Sequence, residues 1–563
     1  MASIKSDLDQ AESIRLKFGA EFERQRFELL KRMEAGTFRT PSEIQRYHEL
    51  ACFARAWPDS LRVLRLSREI ISNFDHRRDL RRFRTRLEGT GIAGTDIAYS
   101  FYLPTAKWLA KHWPQQLDVD WDSFEEHERL DELLKHMAVF AEQQGLNSYG
   151  FKGMERIQKM RGDNNDGDGT FLISLLDLLP MAERVKEHFY DNLSLTFVLR
   201  TGAKTPSRTK AELRGSKIHY QDQPLRPVAI DLKQAAEQPL IFNKVTGAQA
   251  RRLITLARGA MVSRFRDVDP IAYAAPHDVR VVDCGSGLQI VLFGVVPERR
   301  FLFESEYGHL MLKNGVPVGY GSVWSLYGTC QMNFNIFPTF RGAQAVMLYA
   351  KTFTVYQQLF NADTFVAEPY QLGDENEEAI QSGAWWFYNK LGYKPYDPET
   401  GCLAKSENEK RRTRKNYRSS ASTLRRLAQA PMFLNLGRRR KYVLGQIELE
   451  ACSLAVTDYL SRRYGSDRAR AEADCAKTVC AWLDIEQRKL TGSQRLWLRR
   501  WGPIIVSLGS VPNWSQSEKT ALRAVLLAKG GEEESCYVHL FDRHRQLREA
   551  LLKLSRRGLQ KLE

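Results

Sequence analysis

The sequence predicts an α+β, multidomain protein in which a mixed, mostly antiparallel sheet with its own helices is flanked by N- and C-terminal all-α domains. Strand-like runs are concentrated between about residues 240 and 400, and the segments on either side place apolar residues at the three- and four-residue spacing typical of amphipathic helices. The chain has 563 residues, which is too long for one ordinary hydrophobic core.

Changes in the residue pattern along the chain predict three domains and one connecting segment. Residues 1–237 form an N-terminal helical domain whose end, at about 200–237, is polar, contains proline and reads as a linker. Residues 238–404 form the α/β domain, 405–441 a basic connector, and 442–563 a C-terminal helical domain.

Composition restricts the class of protein. Hydrophobic residues make up 43% and charged residues 27%, which is typical of a folded chain. No uncharged apolar run reaches the length of about 18 residues that crosses a bilayer, and the N-terminus lacks the apolar core of a signal peptide. The eight cysteines form no CxxC pair, so we expect free thiols and no metal site. A cytoplasmic protein without a membrane span is therefore expected.

The net charge of +16 is concentrated in one segment. Residues 405–441 contain 13 Lys and Arg against Glu407 and Glu409, or 13 − 2 = +11. The segment ends in four consecutive basic residues, Arg438, Arg439, Arg440 and Lys441. A run of this density is suited to the phosphates of RNA, DNA or coenzyme A. A solvated connector explains it equally well, and both interpretations stay open.

A hairpin and an alternating strand open the central stretch, Tyr307 to Tyr393. Asn314-Gly315 lies between two apolar runs and is typical of a type I′ turn, because both central residues need positive φ. The next run, CQMNFNIF, alternates apolar and polar side chains, so one face is expected in the core and the other is polar. Pro338 ends this strand because it has no N–H to donate.

A turn, a strand and two helices complete the stretch. The turn, called the RG turn below, consists of Arg341, Gly342, Ala343, Gln344, Ala345 and Val346. Small residues there let backbone N–H groups approach a ligand, and the following helix presents its positive N-terminus to an anion. A strand, TFVAEPY, follows. The last helix, in QSGAWWFYNKLGY, is predicted to bury Ile380, Ala384, Phe387 and Leu391 and to end at Gly392.

These segments resemble the GNAT superfamily of acyl-CoA-dependent N-acyltransferases. In that superfamily a hairpin leads to a central strand, a splayed strand pair holds the pantetheine of the cofactor, and an R-G-x-G-x-G/A turn binds the pyrophosphate at a helix N-terminus. IFPTFRGAQAV is similar to this turn, and QSGAWWFYNKLGY is similar to the closing motif N-x-x-A-x-x-x-Y-x-K-x-G-F. Gln344 stands at the first glycine of the turn, Val346 at its last Gly/Ala, and Gln381 at the Asn of the closing motif.

The resemblance implies transfer of an acyl group from acetyl-CoA or a longer acyl-CoA to the amine of a small molecule or peptide. A base removes a proton from the ammonium, a backbone N–H near Asn335 and Ile336 stabilises the oxyanion, and Tyr388 protonates the departing thiolate. Glu368, at the end of TFVAEPY, is the preferred base, and Glu304 and Glu306 are the alternatives. The cofactor-binding residues are then Asn335, Ile336, Arg341, Gly342, Ala343, Gln344, Ala345 and Val346.

Two other functions stay open. The departures at Gln344 and Val346, together with the basic run, favour a catalytically degenerate GNAT-like fold that binds nucleic acid or a protein partner. The size and basicity of the chain suggest a third interpretation, an aminoacyl- or peptidyl-transferring relative that takes its donor from a carrier or from tRNA.

Overall fold

The computed structural model of the protein describes residues 4–342, 344–440 and 442–560. In this part of the chain a nine-stranded sheet lies between a mostly helical N-terminal part and a helical C-terminal part. None of the described helices combines the length and apolarity that crossing a membrane requires.

The N-terminal part is built from short helices and three short strands. The helices are α1 (Ile4–Ser13), α2 (Ala20–Ala35), α3 (Pro41–Ala56), α4 (Leu61–Ser72), α5 (Arg78–Arg82), α6 (Leu103–His112), α7 (His127–Leu134), α8 (Phe140–Ser148), α9 (Gly153–Arg161), α10 (Asp168–Leu176), α11 (Glu183–Asn192) and α12 (Leu232–Ala236). The strands β1 (Ile97–Tyr99), β2 (Leu117–Val119) and β3 (Phe197–Leu199) form a sheet in the order β1-β3-β2. The prediction that this part is all-α is therefore wrong, because strands of three residues are too short to show a period in the sequence.

The polar segment between β3 and α12 has no helix or strand, in agreement with its linker-like composition. It is nevertheless fixed to other parts of the protein by backbone hydrogen bonds. Leu213 N donates to Gly315 O at 2.8 Å, and Leu225 N donates to Leu16 O at 2.9 Å. The segment therefore contacts both the hairpin turn and the turn that follows α1.

The central part contains the large sheet. Its strands are β4 (Phe242–Lys244), β5 (Ala274–Asp283), β6 (Leu288–Val295), β7 (Ser305–Lys313), β8 (Val316–Leu326), β9 (Thr329–Ile336), β10 (Thr364–Ala367), β11 (Lys394–Pro395) and β12 (Met432–Asn435), in the order β11-β12-β10-β9-β8-β7-β6-β5-β4. All described pairs are antiparallel except β9 with β10. The hairpin prediction is confirmed: Asn314 (φ +50°) and Gly315 (φ +80°) join β7 to β8.

Helices cover both faces of this sheet. They are α13 (Gly247–Val262), α14 (Asp269–Ala272), α15 (Ala345–Phe360), α16 (Pro369–Leu372), α17 (Glu377–Ser382), α18 (Ala384–Lys390), α19 (Pro398–Thr413) and α20 (Ala421–Ala428). Tyr307 of β7 packs on Phe360 of α15, with ring centroids 5.6 Å apart. The next residue, Gly308, faces Pro270 of α14 on the opposite side.

Three details of the central part differ from the sequence-based expectations. The apolar run 301–303, which falls in the region of strand-like runs, is irregular, and β7 begins only at Ser305. The expected last helix is two helices, α17 and α18, because Gly383 adopts a left-handed conformation (φ +68°) between them. Residues 405–441 are more than a connector, since they supply most of α19, all of α20 and the strand β12.

The C-terminal part consists of α21 (Cys452–Tyr464), α22 (Arg468–Leu483), α23 (Gly492–Leu508), α24 (Gln516–Lys529), α25 (Glu534–Arg543) and α26 (Arg545–Leu559). Buried polar contacts attach it to the sheet. Asp278 of β5 accepts hydrogen bonds from Tyr307 Oη at 2.5 Å and from Glu534 N at 3.0 Å. Lys529 Nζ donates to Glu304 O at 2.7 Å.

Candidate functional site

The parallel strands β9 and β10 separate after three residue pairs. Thr364, Phe365 and Val366 pair with Thr329, Cys330 and Gln331. β10 then ends at Ala367, because Pro369 begins α16, whereas β9 continues to Ile336. From residue 332 to 336, the edge of β9 that faces away from β8 therefore has no strand partner among the described residues. We call this opening the β9–β10 gap.

Backbone groups of alternate β9 residues point into the gap. Phe337 N donates to Val318 O of β8 at 3.0 Å, so the N–H of the preceding residue, Ile336, points to the other side of the strand. Two carbonyl groups on that side have side-chain donors: Met332 O accepts from Gln371 Nε2 at 3.3 Å, and Ile336 O accepts from Arg341 Nε at 3.1 Å. The Ile336 N–H therefore points into the β9–β10 gap.

One face of β8 and β9 is polar, as the alternation predicts. Gln331, Asn333 and Asn335 of β9 pair with Trp324, Ser322 and Tyr320 of β8. Asn333 Nδ2 lies 3.4 Å from Ser322 Oγ, and Gln371 hydrogen-bonds to the Asn333 side-chain oxygen. This face adjoins the gap and offers hydrogen-bonding groups to a polar acceptor.

Glu368, the preferred base, lies where β10 ends and α16 begins. Burial raises the pKa of its carboxyl group, and a hydrogen bond with Gln331 opposes this effect. Glu304 and Glu306, the alternative bases, lie at the other end of the β7–β8 hairpin from its Asn314-Gly315 tip. Of the three glutamates, Glu368 is the one in contact with the polar face of β9.

The RG turn is held by side chains of the N-terminal part. Gln344, which stands at the first glycine of the family motif, accepts a hydrogen bond from Trp57 Nε1 at 3.0 Å. Arg15 Nη2 donates to Arg341 O at 3.1 Å, and Arg341 pairs with Glu378 at 2.9 Å. Gly342 has φ +146°, and α15 begins at Ala345. Ala343 lies outside the described residues.

Several arginines lie behind the RG turn, and sequence reasoning missed them. Arg264 lies over the Phe337 ring at 3.8 Å, and burial lowers its pKa to about 9. Arg208 Nη1 pairs with Glu49 Oε1 at 2.7 Å, while Arg208 Nε and Nη2 are buried without a hydrogen-bond partner among the described residues. Burial also lowers the pKa of Arg15. Positive charge therefore exceeds negative charge beside the turn, which favours an anion there.

A groove of about 890 Å³ opens beside the first turn of α15. Its lining includes Val346, Gly383, Trp386, Lys390 and Arg411. The Arg411 guanidinium lies 4.1 Å from the centre of the Trp386 ring, and Trp386 Nε1 is buried without a hydrogen-bond partner among the described residues. The groove thus combines aromatic surface, an unused donor and two positive side chains.

Tyr388, the expected acid, lies on the opposite side of α18 from this groove. It is 7% exposed, and its ring makes edge contacts with Tyr349 and Tyr393 at centroid distances of 5.9 and 5.3 Å. Those two tyrosines share a hydrogen bond of 2.7 Å. Burial raises the pKa of Tyr388. The structure therefore places Tyr388 in a cluster of buried tyrosines, and Glu368 separately at the gap.

The basic residues at the end of the 405–441 run differ in their surroundings. Arg438 is exposed, whereas the Arg439 guanidinium lies 3.6 Å from the centre of the Tyr396 ring. Arg440 pairs with Asp363 at 2.5 Å and donates to Tyr327 O at 2.9 Å. Lys441 lies outside the described residues. The Arg440 guanidinium therefore makes its contacts within the protein, whereas Arg438 is exposed to a partner.

Comparisons with known proteins add no family. No protein-family model matches the chain, and searches of curated proteins and of solved structures gave no match.

Proposed function

We propose that this chain is an acyl-CoA-dependent N-acyltransferase with a GNAT-like domain at about residues 240–400, acting on the amine of a small molecule or peptide. The observation that carries the proposal is the β9–β10 gap in an otherwise antiparallel sheet. In the superfamily that the sequence resembles, a splayed strand pair holds the pantetheine arm. The free amide of Ile336 fits that use because pantetheine contains amide groups that pair with a strand edge.

The proposed reaction joins the gap to the polar face of β9. The thioester carbonyl lies near the Ile336 N–H, which stabilises the oxyanion as the amine attacks. Glu368 accepts the proton from the ammonium, and its raised pKa suits a base at neutral pH. The tetrahedral intermediate then collapses with cleavage of the C–S bond, and the thiolate takes up a proton. The resemblance implies that Tyr388 donates that proton. Because Tyr388 is buried, its role is tested separately from that of Glu368.

The phosphates of the cofactor have two candidate contacts. The pyrophosphate lies at the N-terminus of α15 beside Arg341, where helix N–H groups and positive charge favour an anion. Gln344 is bound to Trp57, so its side chain is turned toward the N-terminal part. The adenosine and its 3′-phosphate occupy the groove, in contact with Trp386, Lys390 and Arg411.

Calorimetry of the full chain with acetyl-CoA and with longer acyl-CoAs tests the cofactor. We expect saturable binding, weakened about tenfold or more in Arg341→Gln, because a charge-assisted contact contributes about 1.5–3 kcal/mol. Arg425→Gln is the matched control, since Arg425 is equally exposed (55% against 57%) and has a similar surface ion pair with Glu377. Absence of binding at millimolar ligand would exclude the cofactor.

Dephospho-CoA tests the groove. If Lys390 and Arg411 contact the 3′-phosphate, the wild type binds dephospho-CoA more weakly than CoA, and the double variant Lys390→Gln/Arg411→Gln binds both equally. A double variant that still prefers CoA would place the 3′-phosphate elsewhere.

Thiol release during turnover tests the two catalytic candidates. Glu368→Gln should lower kcat and weaken its dependence on pH, with little change in the Kd for acetyl-CoA. Tyr388→Phe should lower kcat if the hydroxyl protonates the thiolate. Unchanged kcat in Tyr388→Phe would leave the tyrosine with a packing role alone.

The second candidate is a catalytically degenerate GNAT-like fold that binds nucleic acid or a protein partner. Trp57 and Arg15 hydrogen-bond to the RG turn, at Gln344 and at Arg341 O. These contacts occupy groups of the turn and so favour the second candidate. A salt-dependent electrophoretic shift with RNA or DNA, abolished by Arg438→Gln/Lys441→Gln, would support nucleic-acid binding. That result, combined with no binding of acyl-CoA, would replace the first proposal with this one.

A further inference from the structure

A second cavity, of about 300 Å³, lies where the N-terminal part, the sheet and the C-terminal part meet. It is at the end of the β7–β8 hairpin opposite the tip, and the RG turn does not contribute to it. The lining residues used below are Arg184, Asp269, Tyr273, Glu306, Trp497 and Arg500. Side chains from α11, α14, β7 and α23 therefore line one cavity that is open to solvent on one side.

Glu306 is a buried polar side chain that faces this cavity. It is 6% exposed, and no described residue donates a hydrogen bond to its carboxyl group. Burial raises its pKa to about 8, with the nearby Asp269 and Glu534 adding to the effect. The carboxyl group is therefore protonated at neutral pH and has an O–H to donate. Because Glu306 lines the cavity, this O–H is open to a ligand or to water there.

Positive side chains occupy another part of the wall. Arg500 Nη2 donates to Glu298 O at 3.0 Å, which leaves most of its N–H groups for another partner. Burial lowers the pKa of Arg500; the charges of Arg184 and Arg299 add to this effect, and those of Glu298 and Glu472 oppose it. Arg299 is paired with Glu187, whereas Arg184 is exposed and has no ion pair with a described residue. Arg184 and Arg500 thus both have N–H groups available to an anion in the cavity.

The cavity walls between these polar groups are aromatic. Trp497 donates its Nε1 hydrogen to Pro297 O at 2.8 Å, and Arg299 lies 4.1 Å from the centre of the Tyr273 ring. Both rings therefore have fixed partners and offer rigid apolar surface to a ligand. Charged and neutral polar groups separated by apolar walls match a molecule with a polar group at each end and a short carbon chain between them.

We propose that this cavity binds a small dicarboxylate. One carboxylate lies between Arg184 and Arg500, and the other accepts a hydrogen bond from the Glu306 carboxylic acid. Because Arg184 belongs to the N-terminal part and Arg500 to the C-terminal part, the ligand connects the two parts across the end of the sheet.

Calorimetry of the full chain with succinate tests this site directly. We expect one saturable event per chain, and butyrate, which lacks the second carboxylate, should bind about tenfold or more weakly. Arg500→Gln should lose about tenfold or more in succinate affinity for the same reason. Arg499→Gln is the matched control, because Arg499 is exposed on the same helix and should leave affinity unchanged.

Two variants of Glu306 separate hydrogen bonding from packing. Glu306→Gln keeps an N–H donor and should stay within about threefold of the wild type, whereas Glu306→Leu should bind succinate no better than the wild type binds butyrate. Circular dichroism and the thermal midpoint without ligand establish that each variant is folded.

Three results would overturn the proposal. They are no saturable binding of succinate at 10 mM, roughly the weakest affinity worth calling a site; equal affinity in Arg500→Gln and wild type; or loss of binding in Arg341→Gln but not in Arg500→Gln, which would assign succinate to the RG turn. Acyl transfer is not part of this measurement, so the outcome is independent of the function proposed above.

Discussion

Replacing Lys529 by methionine removes a positive charge from the contact between the C-terminal helices and the sheet. Lys529 is 0% exposed, and its Nζ donates to Glu304 O and to Glu534 Oε1, both at 2.7 Å. The Nζ also lies 4.1 Å from the centre of the Tyr537 ring. Methionine has a similar length and is apolar, so the substitution keeps most of the packing and removes both hydrogen bonds.

The expected loss of stability follows from what remains around Glu534. Breaking a buried ion pair by removing one partner costs about 3–5 kcal/mol, because the other charge stays buried without compensation. Arg300 Nε remains 3.7 Å from Glu534 Oε2 and supplies part of that compensation. We therefore expect Lys529→Met to lower the free energy of unfolding by about 3 kcal/mol, the lower end of that range.

Urea unfolding followed by tryptophan fluorescence measures this change, because Trp497 and Trp501 are buried at the same contact. Lys477→Met is the control: Lys477 is exposed on α22, and its replacement should change the free energy of unfolding by less than about 0.5 kcal/mol. The double variant Lys529→Met/Glu534→Gln should recover part of the loss, since it removes the uncompensated carboxylate. A loss below about 1 kcal/mol in Lys529→Met would refute this account of the contact.

Three further predictions concern other sites. Gly321→Ala should destabilise the protein by about 1–3 kcal/mol, because the added methyl overlaps the Asn333 backbone oxygen, whereas Gly401→Ala, in open space on α19, should be neutral or gain up to about 1 kcal/mol in urea unfolding. Glu306→Gln should equal the wild type in stability below pH 4.5. As pH rises from 4.5 to about 8, its free energy of unfolding should exceed that of the wild type by an amount that grows by up to about 1.4 kcal/mol per pH unit. The reason is that in the wild type the unfolded glutamate ionises over this range while the folded one stays protonated. Parallel curves of stability against pH for the two proteins would contradict this. Gln344→Gly restores the family glycine but leaves Trp57 Nε1 unpaired, so thermal unfolding should reveal a loss of about 1–3 kcal/mol, and an unchanged midpoint would argue against that hydrogen bond.

Local signals in the sequence predict the elements that depend on neighbouring residues. The Asn314-Gly315 turn, the alternating strand β9 and the helix α15 are each specified by residues within their own length. The break between α17 and α18 is also a local feature, but glycine is tolerated inside helices. The left-handed conformation of Gly383 was therefore not evident from the sequence.

Elements that depend on distant residues were missed. β12 has four residues inside a strongly basic run and becomes a strand by pairing with Phe365 and its neighbours in β10, about 70 residues earlier. The arginines behind the RG turn come from the turn after α1, from the irregular segment after β3, and from the residues after α13. Their convergence on Phe337 and Glu49 depends on how these parts pack, which no residue spacing records.

The candidate site was predicted in part for the same reason. The sequence placed Ile336 and Glu368 at strand ends, and both lie at the β9–β10 gap. The side of α18 that faces the core is set by the break at Gly383, so the sequence alone did not place Tyr388 among buried tyrosines. The explanation for Gln344 required its partner Trp57, which is 287 residues away.

The buried tip of the β7–β8 hairpin bears on the order in which the protein assembles during synthesis. Asn314 Nδ2 donates to Ala56 O at 2.9 Å, a contact between residues 258 positions apart, and its Oδ1 accepts from His219 N at 2.8 Å. The N-terminal helices therefore leave the ribosome long before the hairpin that completes their polar contacts. Asp278 and Tyr307 accept hydrogen bonds from the backbone N–H groups of residues 534 and 535, which are synthesised more than 200 residues later. A chain released early, after β12, would keep these groups exposed and become a target for chaperones and proteases.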